Sequence, residues 1–175
     1  MTPRRGRATL RGMVSLSSAA GRLTDVLLCR PDHYRWVPHS AVARRVVESG
    51  APPPGPAQLA AQHGEFADAL AGAGVRLHWL EPEAHLPSMA YTRDQSVVTP
   101  WGPVLCQLER PGRRGEYAAL HRFHGGRFWR LSSAGTLEGG DVQILRPGLA
   151  LVGVSGERTD EAGAEQLAGW LRAEG

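Results

Sequence analysis

Short apolar runs along this chain alternate with stretches in which apolar side chains return every three or four positions. The first pattern predicts strands and the second helices. A strand over 24–29 runs into the loop Arg30-Pro31-Asp32. A helix over 40–49 closes at Gly50, and Pro52-Pro53-Pro54 forbids its continuation. Pro56 suits a first helical position, and Leu59, Phe66, Ala67 and Leu70 then share one helical face until Gly72 and Gly74. A strand over 75–80 follows, with Val75, Leu77 and Trp79 alternating against Arg76 and His78.

The pattern then repeats. Apolar runs over 95–99 and 103–108 flank the hairpin-like turn Pro100-Trp101-Gly102. A helix over 115–123 presents Tyr117 and Leu120 on one face, stops at Gly125-Gly126, and leads to a strand over 127–131. A third round opens with strands over 142–145 and 149–154 around Arg146-Pro147-Gly148. Its helix starts near Asp160, with Ala164, Leu167, Ala168 and Leu171 facing the core. Asp160 and Glu161 are favourable in its first turn, where the helix dipole is positive. The organisation is a strand–strand–helix–strand unit of roughly 45 residues, cut off inside its third copy, and the fold class is α/β.

Composition narrows the function classes. The 175 residues suit one domain, with 42% hydrophobic and 21% charged side chains. The net charge of +3 would suggest an acidic partner, yet all 20 basic residues are arginine. Four of them (Arg4, Arg5, Arg7, Arg11) fall in the first twelve residues; without these the charge is 3 − 4 = −1. The basic signal therefore belongs to a disordered tail over 1–20, with Met13 as an alternative start, and 21–175 is the folded domain. Nucleic acid and membrane are excluded as expected partners, since the body is near neutral and no apolar run reaches spanning length. Cys29 and Cys106 each sit within an apolar run, as buried thiols rather than a disulfide, which points to the cytoplasm. The seven histidines show no ligand spacing, so neither a metal nor another cofactor is expected.

Two acids stand out at strand starts. Gly135-Thr136-Leu137-Glu138-Gly139-Gly140-Asp141 precedes the apolar run at 142, and Tyr91-Thr92-Arg93-Asp94 precedes the one at 96. Each alone reads as a turn with a capping acid or as part of a site. Glycine there permits positive φ and close approach of another group. Asp141 reads as structural, accepting N–H groups of its own glycine turn. Arg113, Arg114 and Arg158, taken from the local pattern alone, read as solvated charge.

Together with Arg113-Arg114-Gly115-Glu116 and Gly156-Glu157-Arg158-Thr159, these motifs occur in an order that resembles the guanidine-modifying enzymes. That superfamily comprises arginine deiminases, dimethylarginine dimethylaminohydrolases and amidinotransferases. The resemblance runs from about Asp25 onward and implies the pentein fold, a five-bladed α/β propeller, with about two and a half modules in this truncated chain. It implies a hydrolase on the guanidino C–N bonds of arginine or a methylated arginine, through a Cys-His-Glu mechanism. The alternatives are an amidinotransferase fragment and a non-catalytic fragment binding arginine-like ligands.

Position by position, the resemblance makes Glu138 catalytic, orienting a histidine and touching the guanidinium. It makes Asp94 the acid that pairs with the guanidinium nitrogens, and Arg113 and Arg158 the readers of an α-carboxylate, an amino acid's length from the acids. Ser88, a substrate-binding position, stands where many relatives carry Asp or Asn, so one polar contact to the substrate is weakened or changed. A planar cation needs carboxylates for bidentate contact, and arginine suits a carboxylate in the same way. The family histidine and cysteine lie downstream of the Glu138 motif, whereas here no histidine follows His124 and no cysteine follows Cys106. The expected partners are a small guanidino substrate and a missing C-terminal segment or second chain. A fragment lacking those modules is expected to leave its acids open to water and to be inactive alone.

Overall fold

The computed structural model describes residues 14–38, 41–50 and 53–174. The expected helix start at Ser40, Pro52, and the first thirteen residues of the expected tail lie outside them. The chain falls into two compact units, one of Thr24–Ala90 and the other of Tyr91–Gly175 with the residues before Thr24.

In the Thr24–Ala90 unit, strand β1 (Asp25–Cys29) is followed by helices α1 (Ala41–Glu48) and α2 (Pro56–Gly72) and then strand β2 (Arg76–Leu80). The strands pair in parallel, Asp25 opposite Arg76 and Cys29 opposite Leu80. Pro56 opens α2, where its missing N–H costs nothing, and Gly74, at φ +80°, takes the chain out of it. Two side chains depart from the expected faces. Trp79 lies partly exposed while His78 is buried, because His78 Nε2 is hydrogen-bonded to Asp25 Oδ1 at 2.8 Å. The apolar alternation put tryptophan inside, but a partnered histidine took its place, and Trp79 instead lies against His63 and under Arg30. On α2, Ala67 is buried but Phe66 is exposed.

The second unit carries the complete strand–strand–helix–strand arrangement. Strands β3 (Ser96–Thr99) and β4 (Gly102–Leu105) form an antiparallel hairpin, with Thr99 opposite Gly102. The tight turn needs Gly102 at φ +125° and is held by Thr99 Oγ1, which donates to Gly102 O at 2.7 Å and accepts from Trp101 N. Helix α3 (Glu116–Phe123) leads to β5 (Arg130–Leu131), parallel to β4. This last strand is shorter than the apolar run suggested. Strands β6 (Val142–Arg146) and β7 (Leu149–Val152) form a second antiparallel pair before helix α4 (Glu161–Ala173). Asp160 caps α4 by accepting from Gly163 N at 2.8 Å.

One core joins both rounds. Val97, Val104, Leu137, Val142, Ile144 and Leu167 pack together, with Cys106 and Leu108 among them. Each such side chain contributes about 1.5–3 kcal/mol through burial. Leu137 directly precedes Glu138 and is fully buried, so the core fixes the turn that presents that acid. The described part of the expected tail is also engaged: Leu16 N donates to Thr99 O at 3.0 Å and Ala19 N to Ile144 O at 2.7 Å. No helix among the described residues is long and apolar enough to cross a membrane.

Candidate functional site

The site is assembled from strand starts. Leu137 N donates to Gln107 O, and Glu138 continues in extended backbone before a 3-10 turn over Gly139–Asp141. Gly139 N then donates to Asp94 O at 2.8 Å, which ties the two acidic stretches together. Glycine is needed here for close approach rather than for positive φ. A Cβ on Gly139 would run into Arg93 O and Ser96 O, and one on Gly140 would stand 2.8 Å from Asp94 Oδ1. Only Gly135 in that stretch has φ in the left-handed region, at +68°. Arg93 braces the same junction by donating from Nη2 to Val142 O at 2.6 Å.

Two arginines reach this junction from different directions. Pro111–Arg113 forms a 3-10 turn ahead of α3. From it Arg113 donates through Nε and Nη2 to both Glu116 oxygens at 2.9 Å, and through Nη1 to Asp94 Oδ2 at 2.8 Å. Its guanidinium also lies 5.7 Å from the centre of the Tyr91 ring. Arg158 arrives on the loop after β7 and donates from Nη1 to Glu138 Oε2 at 2.6 Å. The next residue, Thr159, is buried; its hydroxyl donates to Asp141 Oδ2 at 2.7 Å and accepts from Glu138 N at 3.0 Å. The Asp141 side chain therefore serves Thr159, not the N–H groups of its own turn.

The arrangement is drier than expected of acids open to water. The Glu138 side chain is 4% exposed and that of Glu116 0%, while Arg158 keeps 33%. Burial pushes the Glu138 carboxyl up, against the opposing pull of Arg158, and the charge of Asp94 adds to the upward push. Glu138 Oε1 is buried and has no hydrogen-bond partner. Burial also pushes the Glu116 carboxyl up, against Arg113. For Arg113 burial opposes the charge, but Glu116 and Asp94 outweigh it and hold the guanidinium more firmly protonated than usual.

Four of the five anticipated site residues thus meet in one unit: Asp94, Arg113, Glu138 and Arg158. Ser88 is half-buried in a turn of the Thr24–Ala90 unit. Arg113 and Arg158 do not stand off from the acids at an amino acid's length; each is in direct contact with one. Arg113 is also buried, contrary to its local pattern, whereas Arg114 is exposed. Two participants had no role assigned from the sequence. Glu116 ends the Arg113-Arg114-Gly115-Glu116 motif but by itself looks like any acid in the first turn of a helix. Arg110 gave no signal beyond lying three residues before Arg113, yet its charge is disfavoured by burial and then by Arg158 beside it. Chemically, the cluster holds one unpartnered buried carboxylate oxygen suited to a cationic N–H donor, and arginine donors suited to an anion. No group of three or more His, Cys, Asp or Glu among the described residues could hold a metal ion.

Comparison with known proteins gives the family. A family model described as arginine deiminase matches residues 80–175, more than half of the chain. An arginine deiminase of Rhodococcus opacus is 42% identical over 90 residues, 47% of this chain and 22% of that enzyme. Among solved structures, dimethylarginine dimethylaminohydrolase from Pseudomonas aeruginosa, in complex with citrulline, superposes with a TM-score of 0.69 at 23% identity. It covers 86% of this chain and 57% of that one. An amidinotransferase of saxitoxin biosynthesis from Microseira wollei gives a TM-score of 0.70 at 17% identity, over 92% and 60%. The chain belongs to the arginine deiminase family, within the pentein superfamily, and corresponds to its N-terminal portion. The match to that curated relative spans about a fifth of the relative's length.

Proposed function

We propose that residues 21–175 are the opening part of a guanidine-modifying domain, about two and a half of five propeller modules, whose reaction is hydrolysis of guanidino C–N bonds. The substrate class is arginine or a methylated arginine. The observation that carries this is Glu138: a carboxylate removed from water, beside Asp94, with one oxygen still seeking a donor. A planar cation with several N–H groups satisfies such a carboxylate better than a monodentate ammonium does. Asp94 and Glu138 hold the guanidinium, Glu138 also orients the family histidine, and Arg113 and Arg158 serve the α-carboxylate. The 42% identity to an arginine deiminase supports hydrolysis over amidino transfer.

In this chemistry a thiolate adds to the guanidinium carbon, the departing amine leaves with a proton carried by histidine, and water then cleaves the C–S bond. Neither cysteine of the chain suits that role. Cys29 and Cys106 are both buried, and burial pushes the Cys106 thiol up, away from the thiolate. The histidine and nucleophile therefore come from outside residues 1–175, on a continuing segment or a second chain. Two reduced thiols accord with a cytoplasmic setting.

The test is a citrulline assay on purified 1–175 with arginine, beside its Cys29→Ser and Cys106→Ser variants. We expect no turnover from 1–175 alone. Turnover should appear when the missing modules are supplied, fused or in trans, and vanish with Glu138→Gln. Turnover by 1–175 that either serine substitution abolishes would make that cysteine the nucleophile and overturn the assignment.

A further inference from the structure

We propose that Arg158 is a placeholder on Glu138, which a ligand with a guanidinium at one end and a carboxylate at the other removes by exchanging ion-pair partners. The inference rests on the functional reading above and adds how that site selects its ligand. The seat expected to hold a guanidinium already holds one: Arg158 Nη1 on Glu138 Oε2 at 2.6 Å. The two seats differ in how firmly they are filled. Arg113 is pinned to both oxygens of Glu116 as well as to Asp94, and is buried. Arg158 makes one ion pair and keeps 33% of its side chain in solvent.

The surroundings favour exchange by a side-chain swing rather than by refolding of the loop. Thr159, the root of the arm, is buried and bonded to both Asp141 and Glu138 N, so the backbone at Arg158 stays in place. Ahead of it, Ser155, Gly156 and Glu157 are exposed. Glu138 Oε1 is buried and without a partner, so an N–H donor that enters as Arg158 swings aside meets an acceptor whose hydrogen bond is still unmade. The positive charge of Arg158 also works against that of Arg110.

The exchange conserves ion pairs only for a two-ended ligand. Glu138 passes from Arg158 to the ligand guanidinium, and Arg158 passes to the ligand carboxylate. A guanidine without a carboxylate, such as agmatine, would leave Arg158 unpaired near an added cation. Occupation of the seat by Arg158 lowers apparent affinity by the fraction of molecules in which the seat is free. The carboxylate contact returns that loss to arginine and not to agmatine.

The experiment titrates 15N-labelled 1–175 with L-arginine and with agmatine by NMR, in the wild type, Arg158→Ala, Arg158→Gln and Arg114→Ala. Amide spectra verify that each variant is folded, and Arg114→Ala controls for loss of an exposed charge. Removing Arg158 should weaken arginine about tenfold, the loss of a charge-assisted contact. It should tighten agmatine by about threefold or more, since the competing cation is gone. Agmatine affinity unchanged or weakened in both Arg158 variants, with arginine still bound by the wild type, would overturn the placeholder alone. Absence of binding by either ligand to any variant would overturn the functional reading and the placeholder with it.

Discussion

Arg113 and Arg158 sit on the same acidic junction and share a side-chain chemistry, yet they are held by different physics. Arg113 lies in a closed set: two carboxylates, three donated hydrogen bonds and an aromatic face use most of its fork, and its side chain is buried. Such a set is stable only as a whole, because removing one member strands the others in a poorly hydrating medium. Arg158 lies in an open set. One of its nitrogens meets one oxygen of Glu138, the other oxygen has no partner, and a third of the side chain faces solvent. The comparison separates a fixed guanidinium from an exchangeable one. A site that must let a cation in and out keeps its permanent guanidinium where it cannot leave, and its exchangeable one where water already competes.

The sharpest way to break this comparison is at Glu116. Glu116→Gln withdraws the bidentate partner and leaves Arg113 charged and buried against Asp94 alone. Unpairing a buried ion pair costs about 3–5 kcal/mol. Urea unfolding of 1–175 should show a loss of that order. A loss no larger than that of an exposed pair would mean that Arg113 rotates out to water, and the closed set would not be closed.

Gly139 probes the seam between the two sets. Its N–H reaches Asp94 O, and a Cβ there meets the carbonyls of Arg93 and Ser96, which are backbone and cannot rotate away. Gly139→Ala should therefore push the Glu138 turn off the Asp94 turn at a cost of about 1–3 kcal/mol, the range for overpacking. The amide resonances of Asp94 and Glu138 should both move. If Gly139→Ala were as stable as the wild type, with Asp94 unshifted, the two sets would not share a rigid seam.

What the chain made legible follows the same division. Strand and helix periods, the acids at 94 and 138, and the helix starts at Pro56 and near Asp160 are local signals, and the structure keeps them. The pairing and burial of Glu116 and Arg113 were hidden because burial of an ion pair is set by what folds over it, which spacing along the chain does not record. His78 and Trp79 exchanged faces for a related reason: a histidine with a carboxylate across the strand pair outcompetes an apolar ring for the inner side. The glycines at 139 and 140 announced a special turn, but only the folded partner strand explains that close approach, and not positive φ, requires them.

The smallest expected effect tests the open set directly. Arg158→Ala removes a partially solvated cation from a carboxylate that burial already pushes up. Discounted for the solvent that reaches Arg158, the loss near neutral pH should be about 1 kcal/mol or less. Its sign of pH dependence is fixed. With its folded pKa raised above the ordinary 4.5, Glu138 holds a proton more tightly folded than unfolded. Ionising it therefore costs stability as pH rises from 4.5 through that raised value, and Arg158 offsets part of the cost. Without Arg158 the carboxyl rises further, so the penalty of the substitution is fully present above it and fades as pH falls through it, since a neutral Glu138 has no use for a counter-charge. Urea unfolding of the wild type and Arg158→Ala at a series of pH values down to 4.5 reads this out. A difference independent of pH would show that Arg158 stabilises the loop by packing and not through Glu138.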